Sequence, residues 1–151
     1  MSKIRPAISF FAGAAEAQIS AVPALPYDCG AKDFYPNFRF NPLLVLARGF
    51  LEDSSHHDYE PWEEFIARTA LPDDYSFKDG ALEELKCLLY ILDSGAGDAR
   101  WTKRGLVEKT EWKVVRRLSR ATLEELGWPA AFADADVQSL IDEYTRQQKY
   151  P

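Results

Sequence analysis

The chain has 151 residues, 46% hydrophobic, 13% aromatic and 28% charged, with a formal net charge of −6. That length and aromatic content suit one domain with a real core and exclude a solvated, disordered polymer; no uncharged apolar run approaches the roughly 18 residues of a membrane span. The net figure hides four blocks, +2 over residues 1–51, −10 over 52–98, +6 over 99–120 and −4 over 121–151, so the acidity argues against coating nucleic acid with the whole surface but leaves one basic stretch.

Residues 1–40 read as an extended arm, punctuated by Pro6, Pro23, Pro26 and Pro36. Lys3 and Arg5 before an apolar run, with Ala15-Glu16-Ala17 after it, have the outline of a secretory leader. Pro6, Ser9 and Gly13 interrupt that run, so the default compartment is the cytoplasm, with Cys29 and Cys87 as reduced, buried thiols. Short strands are expected over residues 8–11 and 18–22, on either side of Ala12-Gly13. Phe34, Tyr35, Phe38 and Phe40 surround Arg39. Such interleaving can stack on single-stranded nucleotides, but it more commonly wraps a loop onto a helical core. The arm is expected to pack on the core or on a partner.

Residues 41–151 read as the helical domain. Asn41-Pro42 is a helix start, Asn as cap and Pro at the first helical position, where a missing N–H costs nothing. Leu43 to Leu51 is apolar on nearly every side and is expected in the interior. A second helix begins at Pro61, with Trp62, Phe65 and Ile66 on one side. A third begins near Asp79, has Glu83 and Glu84 in its first turns, and repeats Leu82, Leu85, Leu88, Leu89 and Leu92 at helical spacing. Ser94-Gly95 stops it, and the 95–97 glycines lack the Lys-Ser/Thr ending of a phosphate loop. A fourth helix spans about 111–126, striped by Val115, Leu118, Thr122 and Leu126 and ended by Gly127 and Pro129. The last begins at Asp134 or Asp136 and runs through Val137, Leu140, Ile141 and Tyr144. The expectation is an all-α fold: one domain of about five helices with an extended N-terminal arm.

Few residues point to chemistry. Asp53, His56, His57, Asp58 and Glu60 have the residue types of a metal site, but they sit in a Ser/Asp loop without the i, i+4 histidines of a helical zinc motif. His56 and His57 are therefore weak metal candidates, and no metal or cofactor is expected. The two cysteines lack close spacing and lie away from basic clusters, and no GxSxG elbow is present. Glu63/Glu64 and Glu83/Glu84 are adjacent on helices and point about 100° apart, as solvated faces do.

The basic stretch carries more. Lys113, Arg116, Arg117 and Arg120 recur at i+3 and i+4, with Arg104 preceding them. Residues 105–127, GLVEKTEWKVVRRLSRATLEELG, resemble the helix-turn-helix half of winged-helix regulators, which implies a basic second helix in a major groove. From Val107 to Val114 is short for a complete first helix and turn, and no wing hairpin follows Trp128. The leading expectation is a non-enzymatic protein-binding or assembly protein: a small helical subunit, inhibitor or immunity-type protein. Its acidic face (Glu63, Glu64, Asp73, Asp74, Asp79) would meet a basic partner or a second copy. The alternative is a nucleic-acid-binding regulator using residues 111–126.

Overall fold

The structure is a computed structural model and describes residues 4–30, 32, 34–36, 38–53, 80–94 and 99–148. These residues form seven α-helices: α1 (Ile4–Ala12), α2 (Ala15–Ala21), α3 (Pro42–Asp53), α4 (Ala81–Ser94), α5 (Lys103–Glu108), α6 (Thr110–Leu126) and α7 (Asp134–Gln148). Single 3-10 turns at Phe38–Phe40 and Ala99–Trp101 lead into α3 and α5. Among the described residues there is no strand, and no helix is long and apolar enough to cross a membrane. The expected helix from Pro61 and the 95–97 turn lie outside the described residues.

The N-terminal segment differs from the sequence expectation. Residues 8–11 and 18–21 are helical, and most of the described residues between 22 and 36 lie in turns and bends, followed by the 3-10 turn at Phe38–Phe40. Alanine is the best helix former, and it supplies residues 7, 12, 14, 15, 17 and 21. Pro6 falls in the first turn of α1, where backbone N–H groups have no intrahelical acceptor to lose. Burial then selects the helix: Ala7, Ile8, Phe10, Phe11 and Ala12 all lie in the core. α1 packs against α6, α7 and α3.

α3, α4, α6 and α7 start and stop close to where the sequence marks them, whereas α5 was not among the about five helices expected, and the described residues form seven. Asn41 Oδ1 accepts from the N–H groups of Leu43 and Leu44 at 3.0 and 3.1 Å, and its Nδ2 donates to the Trp101 carbonyl at 2.8 Å. One buried amide thus caps α3 and ties the 99–101 turn beneath it. Gly80 has φ of +87°, which favours glycine, and the Ala81 N–H at the start of α4 is taken by the Glu125 carboxylate at 3.3 Å. Gly127, at φ +69°, closes α6 in the left-handed conformation, and the Trp128 N–H reaches back to Leu123 O at 2.9 Å.

α6 is the central element, packed between α1 and α4, and its buried stripe is Trp112, Val115, Leu118, Ser119, Thr122 and Leu123. Aromatic rings run through the core in contact: Phe132 on Phe10, Phe10 on Phe11, Phe11 on Phe50 and Trp112, and Trp112 on Trp101, at centroid distances of 5.7, 5.6, 5.9, 6.4 and 5.6 Å. Edge-on and offset pairs of this kind contribute about 1 kcal/mol each beyond the area they bury. They join α1, α3, α6 and the two flanking loops into one core.

Two helical glycines mark close approaches. A Cβ on Gly49 of α3 would land on the ring of Tyr144 in α7, and one on Gly105 of α5 would meet the carbonyl oxygens of Ala99 and Arg100. Helix propensity alone favours Ala over Gly by about 1 kcal/mol. Overpacking opposes it by about 1–3 kcal/mol, and the Tyr144 ring, only 2% exposed, has little room to yield. Gly49→Ala and Gly105→Ala are therefore each expected to lower the urea midpoint, Gly105→Ala more, because its obstacle is backbone. A raised midpoint in either variant would show that the helices are not this close.

Candidate functional site

The basic residues singled out in the sequence do not share one open face. The last carbonyls of α1 end inside the protein, where an unpaired backbone acceptor is costly. Gln18 of α2, fully buried, donates through Nε2 to Phe10 O at 3.0 Å and Phe11 O at 3.2 Å. Its Oε1 accepts from Arg116 Nε at 3.1 Å, and Arg116 also donates to Leu106 O in the last turn of α5. Arg120 Nε donates to Ala12 O at 3.0 Å. Two arginines of the basic helix thus cap the carboxyl ends of α1 and α5, the ends that carry the negative pole of the helix dipole. Burial lowers the Arg116 pKa, with neighbouring Arg120 adding to the effect and Glu16 opposing it. A guanidinium starts so far above neutrality that Arg116 keeps its charge.

Arg117 is half-buried, while Lys113 and Lys109 are exposed. Arg104 is exposed and pairs with Glu108 one turn on, at 3.1 Å; that hydrogen bond is the main reason its pKa is raised. Arg100, upstream, pairs with Glu111 at 3.1 Å with both side chains largely covered. Glu63, Glu64, Asp73, Asp74, Asp79, His56 and His57 lie outside the described residues. Among the described residues, no group of three His, Cys, Asp or Glu side chains is arranged to hold a metal. Cys87 is buried and Cys29 half-buried, and neither forms a disulfide.

Within residues 22–40 the sequence singled out the aromatic cluster around Arg39 but gave Tyr27 no role. Phe34 is buried and anchors this segment, with Tyr35 and Phe38 against it at 5.0 and 5.3 Å. Tyr27 and Tyr35 are 65% and 64% exposed, and Phe40 is 39% exposed beneath the Arg39 guanidinium, 4.8 Å from its ring centre. The segment is held from below by α5. The N–H groups of Lys103 and Arg104 donate to Pro26 O and Tyr27 O, both at 2.9 Å, and the Gly105 N–H donates to the Thr102 hydroxyl at 2.9 Å. The first three donors of α5 are therefore all used, and its N-terminus is no anion nest. Pro23, Pro26 and Pro36 and the aromatic side chains around Arg39 were the sequence signs of a shaped loop.

Two concavities border this architecture. One, about 320 Å³, lies between residues 28–30 and α5. The other, about 890 Å³, lies between α1 and α7, with Leu140 and Phe132 on its floor and Arg5, Asp136, Glu143 and Arg146 around it. Its charges are mixed in sign and it is open to solvent, so it selects no ligand by charge. The chain matches no protein-family model, no curated protein and no solved structure.

The clamp at the end of α1 separates structural from exposed basic residues. Gln18→Leu leaves the Phe11 carbonyl and the Nε–H of Arg116 without their Gln18 partner, and is expected to cost about 2 kcal/mol or more in urea unfolding. Lys113→Ala, on the solvent side of the same helix, should stay within about 0.5 kcal/mol of wild type. Equal effects from the two would remove the distinction.

Proposed function

We propose that this chain is a non-enzymatic, cytoplasmic protein-binding or assembly protein, and that residues 22–40 present its contact edge. One observation carries the reading: Tyr27 and Tyr35 are almost two-thirds exposed, Tyr27 on a backbone hydrogen-bonded to α5 and Tyr35 against the buried ring of Phe34. Exposed large aromatics cost solvation, and a loop whose only task is to connect helices has no need of them. Tyrosine suits contact surfaces because it offers a large, rigid, amphipathic area while losing few rotamers on binding. Main-chain hydrogen bonds to α5 and the buried Phe34 place these rings in advance, so little ordering remains for a partner to impose.

The alternative of a nucleic-acid regulator rests on the four bases Lys113, Arg116, Arg117 and Arg120. It loses support because Arg116 and Arg120 are engaged with carbonyls of α1 and α5. A helix must present its face to enter a groove, and α6 turns its stripe to α1 and α4.

The test is affinity capture from a lysate of the source cells, with wild type and the Tyr27→Ser/Tyr35→Ser variant immobilised side by side. A partner retained by wild type should be lost or weakened on the order of a hundredfold in the variant, with the melting temperature unchanged. Identical retention by both proteins, or retention of nothing by either, would reject the reading. Elution from heparin or DNA that depends on Lys113 and Arg117 would move support to the alternative.

A further inference from the structure

We infer that α5 is a gate: it opens by local unfolding while the rest of the bundle stays folded, and Tyr27 is released with it. The opening stands on the geometry of α5, and its meaning for a partner rests on the protein-binding reading above. α5 has six residues, of which only Gly105 and Leu106 are buried. Arg104, Val107 and Glu108 are exposed, so a single apolar side chain, Leu106, anchors the helix. Its other ties to the rest of the fold are polar: the N–H groups of Lys103 and Arg104 on Pro26 O and Tyr27 O, and Arg116 on Leu106 O. A segment with so few buried apolar contacts opens far more readily than the bundle unfolds.

Both flanks let α5 leave without unravelling its neighbours. Lys109, which joins it to α6, is extended, at φ −76° and ψ 131°, and its side chain makes no cap bond to α6. The Trp112 N–H donates to Lys109 O at 3.2 Å, and among the described residues no backbone N–H of α6 is bonded to a carbonyl of α5. Thr102, on the other side, is extended as well, at φ −138° and ψ 165°. The cleft of about 320 Å³ between α5 and residues 28–30 leaves space for the movement. The turn at Ala99–Trp101, on which Gly105 packs closely, favours opening: Trp101 is buried, and its Nε1 has no hydrogen-bond partner among the described residues. A buried unpaired N–H is unfavourable, and uncovering the turn lets water serve it. Opening also breaks the bonds to Pro26 O and Tyr27 O, so Tyr27 loses the fixed backbone that lowers the ordering cost of a contact. A partner that takes the Tyr27 edge therefore binds the closed form and holds α5 shut.

The experiment is hydrogen exchange of the full chain in low urea, read amide by amide by NMR. The amides of Lys103, Arg104, Leu106 and Lys109 are bonded to the carbonyls of Pro26, Tyr27, Thr102 and Gly105. After correction for intrinsic rates, these four are expected to exchange roughly tenfold or more faster than those of Leu118 and Leu123 in α6. Two variants separate the gate from global unfolding. Leu106→Ala removes the apolar anchor and should speed the four amides about tenfold or more. Val137→Ala weakens the core at α7, which stays packed when α5 opens, so it should speed Leu118 and Leu123 and leave the four within about twofold of wild type. Cys29 lines the cleft and Cys87 is buried in α4, so Leu106→Ala should also quicken modification of Cys29 by a thiol reagent and leave Cys87 slow. Exchange of the four no faster than in α6, a rise in Val137→Ala matching that of α6, or a Cys29 rate indifferent to Leu106→Ala would each overturn the inference. The parent reading fails separately: a negative capture experiment removes the partner and leaves the exchange pattern standing.

Discussion

A helix that ends inside a protein leaves carbonyl oxygens that water cannot reach, and the placing of α1 depends on solving that problem. The solution is Gln18, which gives its amide hydrogens to Phe10 and Phe11 while its oxygen receives Arg116; Arg120 completes the end at Ala12. Once these bonds are made, α2 cannot leave α1, and α6 cannot rotate without breaking them. The second bond of Arg116, to Leu106, then fixes the carboxyl end of α5. Four helices are thus registered by three polar side chains, and the aromatic core fills the space they define. Apolar burial supplies most of the stabilisation, at roughly 2 kcal/mol for each large side chain, but it is non-directional. The clamp supplies direction.

This arrangement changes the meaning of the basic stretch. Like charges at Lys113/Arg117 and Arg116/Arg120 are mildly unfavourable along a helix surface, which makes such a stretch look reserved for an external anion. In the folded protein two of the four charges meet carbonyl dipoles of neighbouring helices, and the cluster is partly an internal capping device. Arg104, Lys109 and Lys113 are exposed, while Lys103 and Arg117 are half-buried. Of these, Arg104 adjoins the tyrosine edge, its backbone N–H donating to Tyr27 O.

The local rules were legible in the sequence because they act between near neighbours. Asn41-Pro42 starts α3, Gly127 ends α6, the leucine spacing of residues 82–92 gives α4, and Asp134 opens α7. The failures have a common cause. Residues 8–11 and 18–21 carry β-branched, aromatic and alanine side chains in short runs broken by Gly13, so periodicity could not choose between strand and helix. Tertiary burial chose. Gln18 and Arg116 are 98 residues apart, and no local pattern announces their bond. Gly49 reads as a weak spot in an apolar helix, whereas its missing side chain is what admits the ring of Tyr144. The Phe34–Phe40 cluster was legible as aromatic but not as divided. One ring is sunk in the core while Tyr35 and Phe40 face outward, a split decided by how the loop lies on α3 and α5.

A six-residue helix such as α5 cannot persist on its own, since nucleation is costly and so few bonds follow it. Here its ends are completed from elsewhere: Pro26, Tyr27 and Thr102 at the start, Arg116 near the close. The dependence is mutual, because the same bonds at the start hold residues 26 and 27 in place and so aim the Tyr27 ring outward. A contact edge made this way is rigid without being part of the core, and its stiffness traces through α5 and Arg116 to the clamp at the end of α1. Perturbing that clamp should therefore loosen the tyrosine edge before it unfolds the bundle, because α5 has no packing of its own comparable to that of α4 or α6. The surface and the interior are coupled through the shortest helix in the described fold.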